Sequence, residues 1–70
     1  MSVRMSWPEV VGWSAADAKA QIKSDRPDVT IEVLPWSTYA PPKYFNNLRV
    51  RVYVDTSYAG SPVVYVPVVG

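Results

Sequence analysis

Residues 48–54, LRVRVYV, alternate without a break, with Val50, Val52 and Val54 on one side and Arg49, Arg51 and Tyr53 on the other. Successive side chains of a strand point to opposite faces, so one face of this segment belongs to a core and the other does not. The β-branched runs VTIEVL (29–34) and VVYV (63–66) are the other strand candidates. Between them and the N-terminus the period changes. Ala15, Ala18 and Ile22 recur at i, i+3 and i+7 as a narrow apolar stripe, while Lys19, Lys23 and Asp25 point elsewhere. Ser14 is a good N-cap, Asp17 favours the first turn, and Pro27 ends the segment, which predicts a helix over 15–25. Its small alanines allow close approach to a sheet. The pattern is therefore one helix and about three strands, with no internal repeat, low-complexity tract or interdomain linker.

The thirteen residues 35–47 fit neither period. A connection of that length in a small domain is usually functional or disordered, and its composition argues against disorder. It has no glycine, and Trp36, Tyr39, Pro41, Pro42, Tyr44 and Phe45 make it stiff and aromatic. Proline also restricts its preceding residue to extended geometry. The 35–47 segment, which includes Thr38, Tyr39, Ala40, Pro41, Pro42, Lys43, Tyr44 and Phe45, thus reads as an extended, presented loop.

Composition narrows the rest. A chain of 70 residues is expected to form one domain, 1–70, around one modest core. Cysteine is absent, so burial must supply the stability without disulfides or thiolate–metal sites. The formal net charge of +1 argues against a large nucleic-acid footprint. An aromatic and basic patch of Tyr44, Phe45 and Tyr53 with the arginines is the RNA-binding alternative, and the low charge weighs against it. The opening MSVRMSW has no apolar run of signal-peptide length, and no membrane-spanning run of about eighteen apolar residues occurs, so a soluble chain of unassigned compartment is expected. With neither His nor Cys and six scattered carboxylates, no catalytic triad, transition-metal site or cofactor is expected, and an enzyme is the weakest class.

Proteases grip substrates as extended strands and read the side chain before the scissile bond in a pocket. A pre-stiffened loop binds at lower ordering cost, and if its cut ends are held in place the bond can re-form. That is the behaviour of an inhibitor. Arg49 and Arg51, at the foot of the loop, have guanidinium groups suited to bracing loop carbonyls.

The chain also resembles the potato inhibitor I family of serine protease inhibitors. The resemblance rests on SWPEVVG (6–12), the SAADAKAQIKSDRPD helix, IEVLP (31–35), LRVRVYVD (48–55) and the closing VPVVG (66–70). It implies an α+β fold in which one helix packs on a small mixed sheet and a protease-binding loop, about 37–47, joins two parallel strands. It also implies that Arg49 or Arg51 reaches the loop carbonyls or the terminal carboxylate of Gly70. Counting back from the paired arginines puts the P1 residue at Lys43, whereas counting forward from Leu34-Pro35 puts it at Pro42, a one-residue insertion. Bonds preceding proline are poor substrates, so Lys43–Tyr44 is the best scissile bond and a trypsin-like protease the expected partner. Pro42 at P2 has no polar group to join the arginines, where the family usually carries Thr. Tyr44 as P1, with a chymotrypsin- or subtilisin-like target, is the alternative register. A non-inhibitory member serving as a binding or structural module, with Lys43 an ordinary surface lysine, is the alternative function. A monomer is expected.

Overall fold

The computed structural model describes residues 4–41 and 43–70. Helix α1 spans Ala15–Asp25, as the apolar stripe predicts. The Ser14 hydroxyl accepts from the Asp17 N–H at 3.2 Å, and the Ala15 N–H donates to the Gly60 carbonyl at 2.9 Å, which satisfies two of the orphan donors of the first turn. That second bond docks the 55–61 turn on the helix start. Gly60 takes a left-handed φ of 80° to make it, and an added Cβ there would stand 3.3 Å from the Ser14 Cβ. Ala18 and Ile22 are fully buried against the sheet.

Strands β1 (Thr30–Pro35) and β2 (Arg49–Val54) pair in parallel, Thr30 opposite Arg49 and Pro35 opposite Val54. Strand β3 (Val68–Val69) lies antiparallel on the other side of β2, giving the order β1-β2-β3. One helix thus packs on a small mixed sheet. Val50, Val52 and Val54 enter the core with Trp7, Val10, Ala18, Ile22 and Val29.

The third strand is not where the sequence predicts it. Val63 makes an isolated antiparallel bridge to Val54, and the Val64 N–H donates to the Tyr53 carbonyl at 2.8 Å, but the chain then leaves the ladder and rejoins it at Val68. Pro67 explains the detour, because it has no N–H for the ladder. Its carbonyl accepts instead from the Trp7 N–H at 3.0 Å, drawing this segment onto the N-terminal arm. Tyr65 and Val66 form the resulting bulge, and a bulge re-aims the side chains it carries.

The N-terminal arm is fastened to the end of α1 by charge. Asp25 Oδ2 accepts from the buried Trp7 indole at 2.9 Å and from Gln21 and Arg4 at 3.0 Å each. The Arg4 guanidinium lies 5.5 Å from the Trp7 ring and also pairs with Glu9. Arg26, almost fully buried, forks onto Asp28 at 2.9 and 3.0 Å and donates to the Arg4 carbonyl at 2.9 Å. Donation from Gln21 and Trp7 holds the Asp25 carboxyl below its ordinary pKa, and donation from Arg26 does the same for Asp28. Their contribution is complete above the unfolded-chain value of about 3.9 and disappears as pH falls through the depressed native values. Urea unfolding followed from about pH 5 to about pH 2 should therefore show a steeper acid loss in the parent than in Asp25→Asn. Superimposable profiles would show that Asp25 is not coupled to folding.

Candidate functional site

Parallel pairing decides the geometry of the 36–48 connection. The chain leaving Pro35 must travel back along the sheet to start β2 beside Thr30. At 3.3 Å per residue that return is about 17 Å, whereas thirteen extended residues reach about 43 Å, so the excess length bows outward. Only its first turn is helical, a single 3-10 turn at Trp36–Thr38, and the Thr38 hydroxyl donates to the Pro35 carbonyl at 2.7 Å to close it. Tyr39 follows with extended dihedrals, φ −55° and ψ 129°. Ala40, Pro41, Lys43, Tyr44 and Phe45 are all exposed, Tyr44 at 82%. At the return end, Asn46 Oδ1 accepts from the Leu48 N–H at 3.0 Å and the Asn46 carbonyl accepts from the Arg49 N–H at 3.2 Å, a local turn that starts β2.

The non-core face of β2 meets this loop at three levels. Arg49 spans its return end, donating from Nε to the Gly70 carbonyl at 2.8 Å and from an Nη to the Tyr44 carbonyl at 3.1 Å. The backbones of Arg49 and Gly70 are joined as well, the Gly70 N–H donating to the Arg49 carbonyl at 2.9 Å, and the Phe45 ring lies beside the Gly70 Cα. Tyr53 supports the outgoing end. Its ring centroid is 5.0 Å from Tyr39 and 6.0 Å from Tyr65, and Tyr39 and Tyr65 are 4.9 Å apart. Such pairs contribute about 0.5–1.5 kcal/mol each beyond their area.

Arg51 occupies the middle and differs from Arg49. Its Nε is buried without a hydrogen-bond partner among the described residues, 3.5 Å from Glu32 Oε2 across the β1–β2 pair. That separation suits an ion pair and exceeds a good hydrogen bond. Arg51 lines a 140 Å³ aromatic pocket with the three tyrosines and an open cleft of about 310 Å³ bounded by Pro41, Lys43, Tyr44 and Arg49.

Of the residues predicted from sequence, Tyr39, Ala40, Pro41, Lys43, Tyr44 and Phe45 are gathered over Arg49, Arg51 and Gly70, while Thr38 turns back to Pro35. Pro42 lies outside the described residues. Sequence reasoning missed Tyr65, for which no local signal exists because only the bulge before Pro67 brings it to Tyr39. It also missed Asn46, whose affinity for turns is the signal that was available.

A family model described as the Potato inhibitor I family matches residues 1–70. Subtilisin inhibitor 1 of Phaseolus angularis is 44% identical over 54 residues, covering 77% of this chain and 58% of that protein. Subtilisin-chymotrypsin inhibitor CI-1B of Hordeum vulgare is 41% identical over 61 residues, 87% of this chain and 70% of its own length. The crystal structure of bitter gourd trypsin inhibitor superposes with a TM-score of 0.84 at 33% identity, covering 99% of this chain and 96% of that one. The chain thus spans less than two thirds of the Phaseolus relative and most of the bitter gourd protein.

Because Arg49 ties Tyr44 to Gly70, Arg49→Met should free the return end of the loop while leaving the valine core intact. Two charge-assisted bonds lost from a half-exposed site correspond to an opening roughly tenfold or more easier. Nicking after Lys43 by dilute trypsin, compared with the urea midpoint of the same variant, checks this. Proportionate changes in the two would place the effect in global unfolding.

Proposed function

The chain belongs to the potato inhibitor I family, a family of serine protease inhibitors, and from that premise we propose that residues 37–47 are a substrate-like loop with Lys43 as P1 and Lys43–Tyr44 as its scissile bond. The target is a serine protease of the trypsin type. The observation that carries this reading is the exposed Lys43–Tyr44 segment, whose far side is pinned through the Tyr44 carbonyl by Arg49. An extended backbone enters a protease cleft without rearranging, and an exposed lysine reaches the acidic base of a trypsin-like pocket. Attack on the Lys43 carbonyl would release the Tyr44 amine, but Arg49 and the Phe45–Gly70 contact keep that amine beside the acyl group. Proximity of this kind favours re-formation of the bond over escape of the leaving group. Thr38, Tyr39, Ala40, Pro41 and Pro42 form the approach to P1, and Arg49, Arg51 and Gly70 its support.

Tyr44 as P1 is the second reading, favoured by its side chain being the most exposed of the large apolar ones. Related proteins named for inhibiting subtilisin and chymotrypsin are consistent with it. The two registers predict opposite preferences. With Lys43 as P1, the unmodified chain inhibits trypsin and Lys43→Ala weakens that by about 2–5 kcal/mol, the cost of leaving a buried charge unpaired. Lys43→Leu should redirect inhibition toward chymotrypsin or subtilisin. An unmodified chain that already prefers chymotrypsin, with trypsin indifferent to Lys43→Ala, would transfer P1 to Tyr44. Rapid trypsin cleavage after Lys43 without lasting inhibition would instead mark the loop as a substrate and the protein as a non-inhibitory member of the fold.

A further inference from the structure

Charge is distributed unevenly over this nearly neutral molecule. Lys43, Arg49 and Arg51, three of its seven lysines and arginines, line one cleft beneath the loop. Arg4 and Arg26, by contrast, are matched by Glu9, Asp25 and Asp28. Glu32 is the carboxylate that reaches the cleft cluster, and it stands 3.5 Å from Arg51 in a contact too long to satisfy the buried Nε. The cluster therefore keeps an excess of positive charge at close quarters.

We propose that this cleft is a binding site for a small oxyanion of the phosphate class, seated between Lys43 on the loop and Arg49 and Arg51 on β2. The donors suit it. Arg49 donates from Nε to Gly70 and from one Nη to Tyr44, its other Nη makes no hydrogen bond among the described residues, and Arg49 and Arg51 both line the cleft. Two guanidinium groups and a lysine favour a dianion over a monoanion, since each added charge pair gains in a partly enclosed cleft. The opening of about 310 Å³ admits a tetrahedral ion without displacing the tyrosine cluster on the other side of Arg51. A bound anion would join the loop to β2 at the middle level, where Arg51 Nε has no hydrogen-bond partner among the described residues. The loop would then open less often. This site stands independently of the inhibitory reading, since it requires no protease.

Titration of the whole protein with inorganic phosphate at constant ionic strength, followed by amide and guanidinium NMR shifts, tests it. The titration is run at about pH 8, where inorganic phosphate is mainly the dianion. The expected result is saturable shifts confined to residues 41–51, with a dissociation constant of about 1–10 mM, at least about tenfold weaker binding of acetate, and no saturation by chloride. Arg51→Met and Lys43→Met, the second lying on the exposed loop where folding is not at stake, should each weaken phosphate binding by about tenfold. Shifts that follow ionic strength alone, that spread over the whole surface, or that persist unchanged in both variants would overturn the site.

Discussion

Everything in this molecule is referred to the two faces of β2. Its valines hold the core together against α1, and the alternate residues Arg49, Arg51 and Tyr53 face the loop. Strand geometry makes these two duties inseparable, because the period of two fixes one set by fixing the other. With Val50 and Val52 fully buried, rotation of the strand is blocked, and the loop-facing row cannot drift. A 70-residue chain without disulfides thus gives its exposed loop a rigid backing at no expense beyond the core it needs anyway.

Parallel pairing is the second half of that arrangement. An antiparallel neighbour would have allowed a tight turn, whereas a parallel one requires a long return, and here no helix fills it. The return is ordered from its ends inward: a 3-10 turn closed by Thr38 and three packed tyrosines on the outgoing side, Asn46 and the Arg49 bonds on the returning side. Between these anchors lie Pro41 and Lys43, over an arginine whose Nε has no acceptor among the described residues. The middle is therefore the weakest part of the support and the place where charge, from a protease or an anion, has the greatest leverage.

Much of this was legible in the residues. Ser14, the Ala15–Ala18–Ile22 stripe and Pro27 mark the helix because capping, period and the missing N–H all act locally. The alternation of β2 marks both its faces for the same reason. The site of β3 was not legible: VVYV has strand composition, yet Pro67 and the pull of the Trp7 N–H send the chain around Tyr65 and Val66 before it pairs. Tyr65 joining Tyr39 and Tyr53 depends on that tertiary detour. The contrast between Arg49 and Arg51 was equally hidden, since the two are equivalent by alternation. The distinction comes from where Gly70 and the Tyr44 carbonyl stand in space.

A cut at Lys43–Tyr44 would divide the chain into 1–43, carrying α1 and β1, and 44–70, carrying β2 and β3, two pieces that share one core and one parallel strand pair. If the scaffold holds the loop ends as described, the pieces stay together and the bond is restored by the enzyme that broke it. The direct measurement is to isolate the nicked protein, return it to a catalytic amount of trypsin, and follow the intact fraction to equilibrium by mass spectrometry. The account predicts that the pieces co-purify and that intact chain reappears to roughly a tenth or more, as expected when the reacting groups are held in place. Separation of the pieces, with hydrolysis running to completion and no intact chain returning, would contradict it.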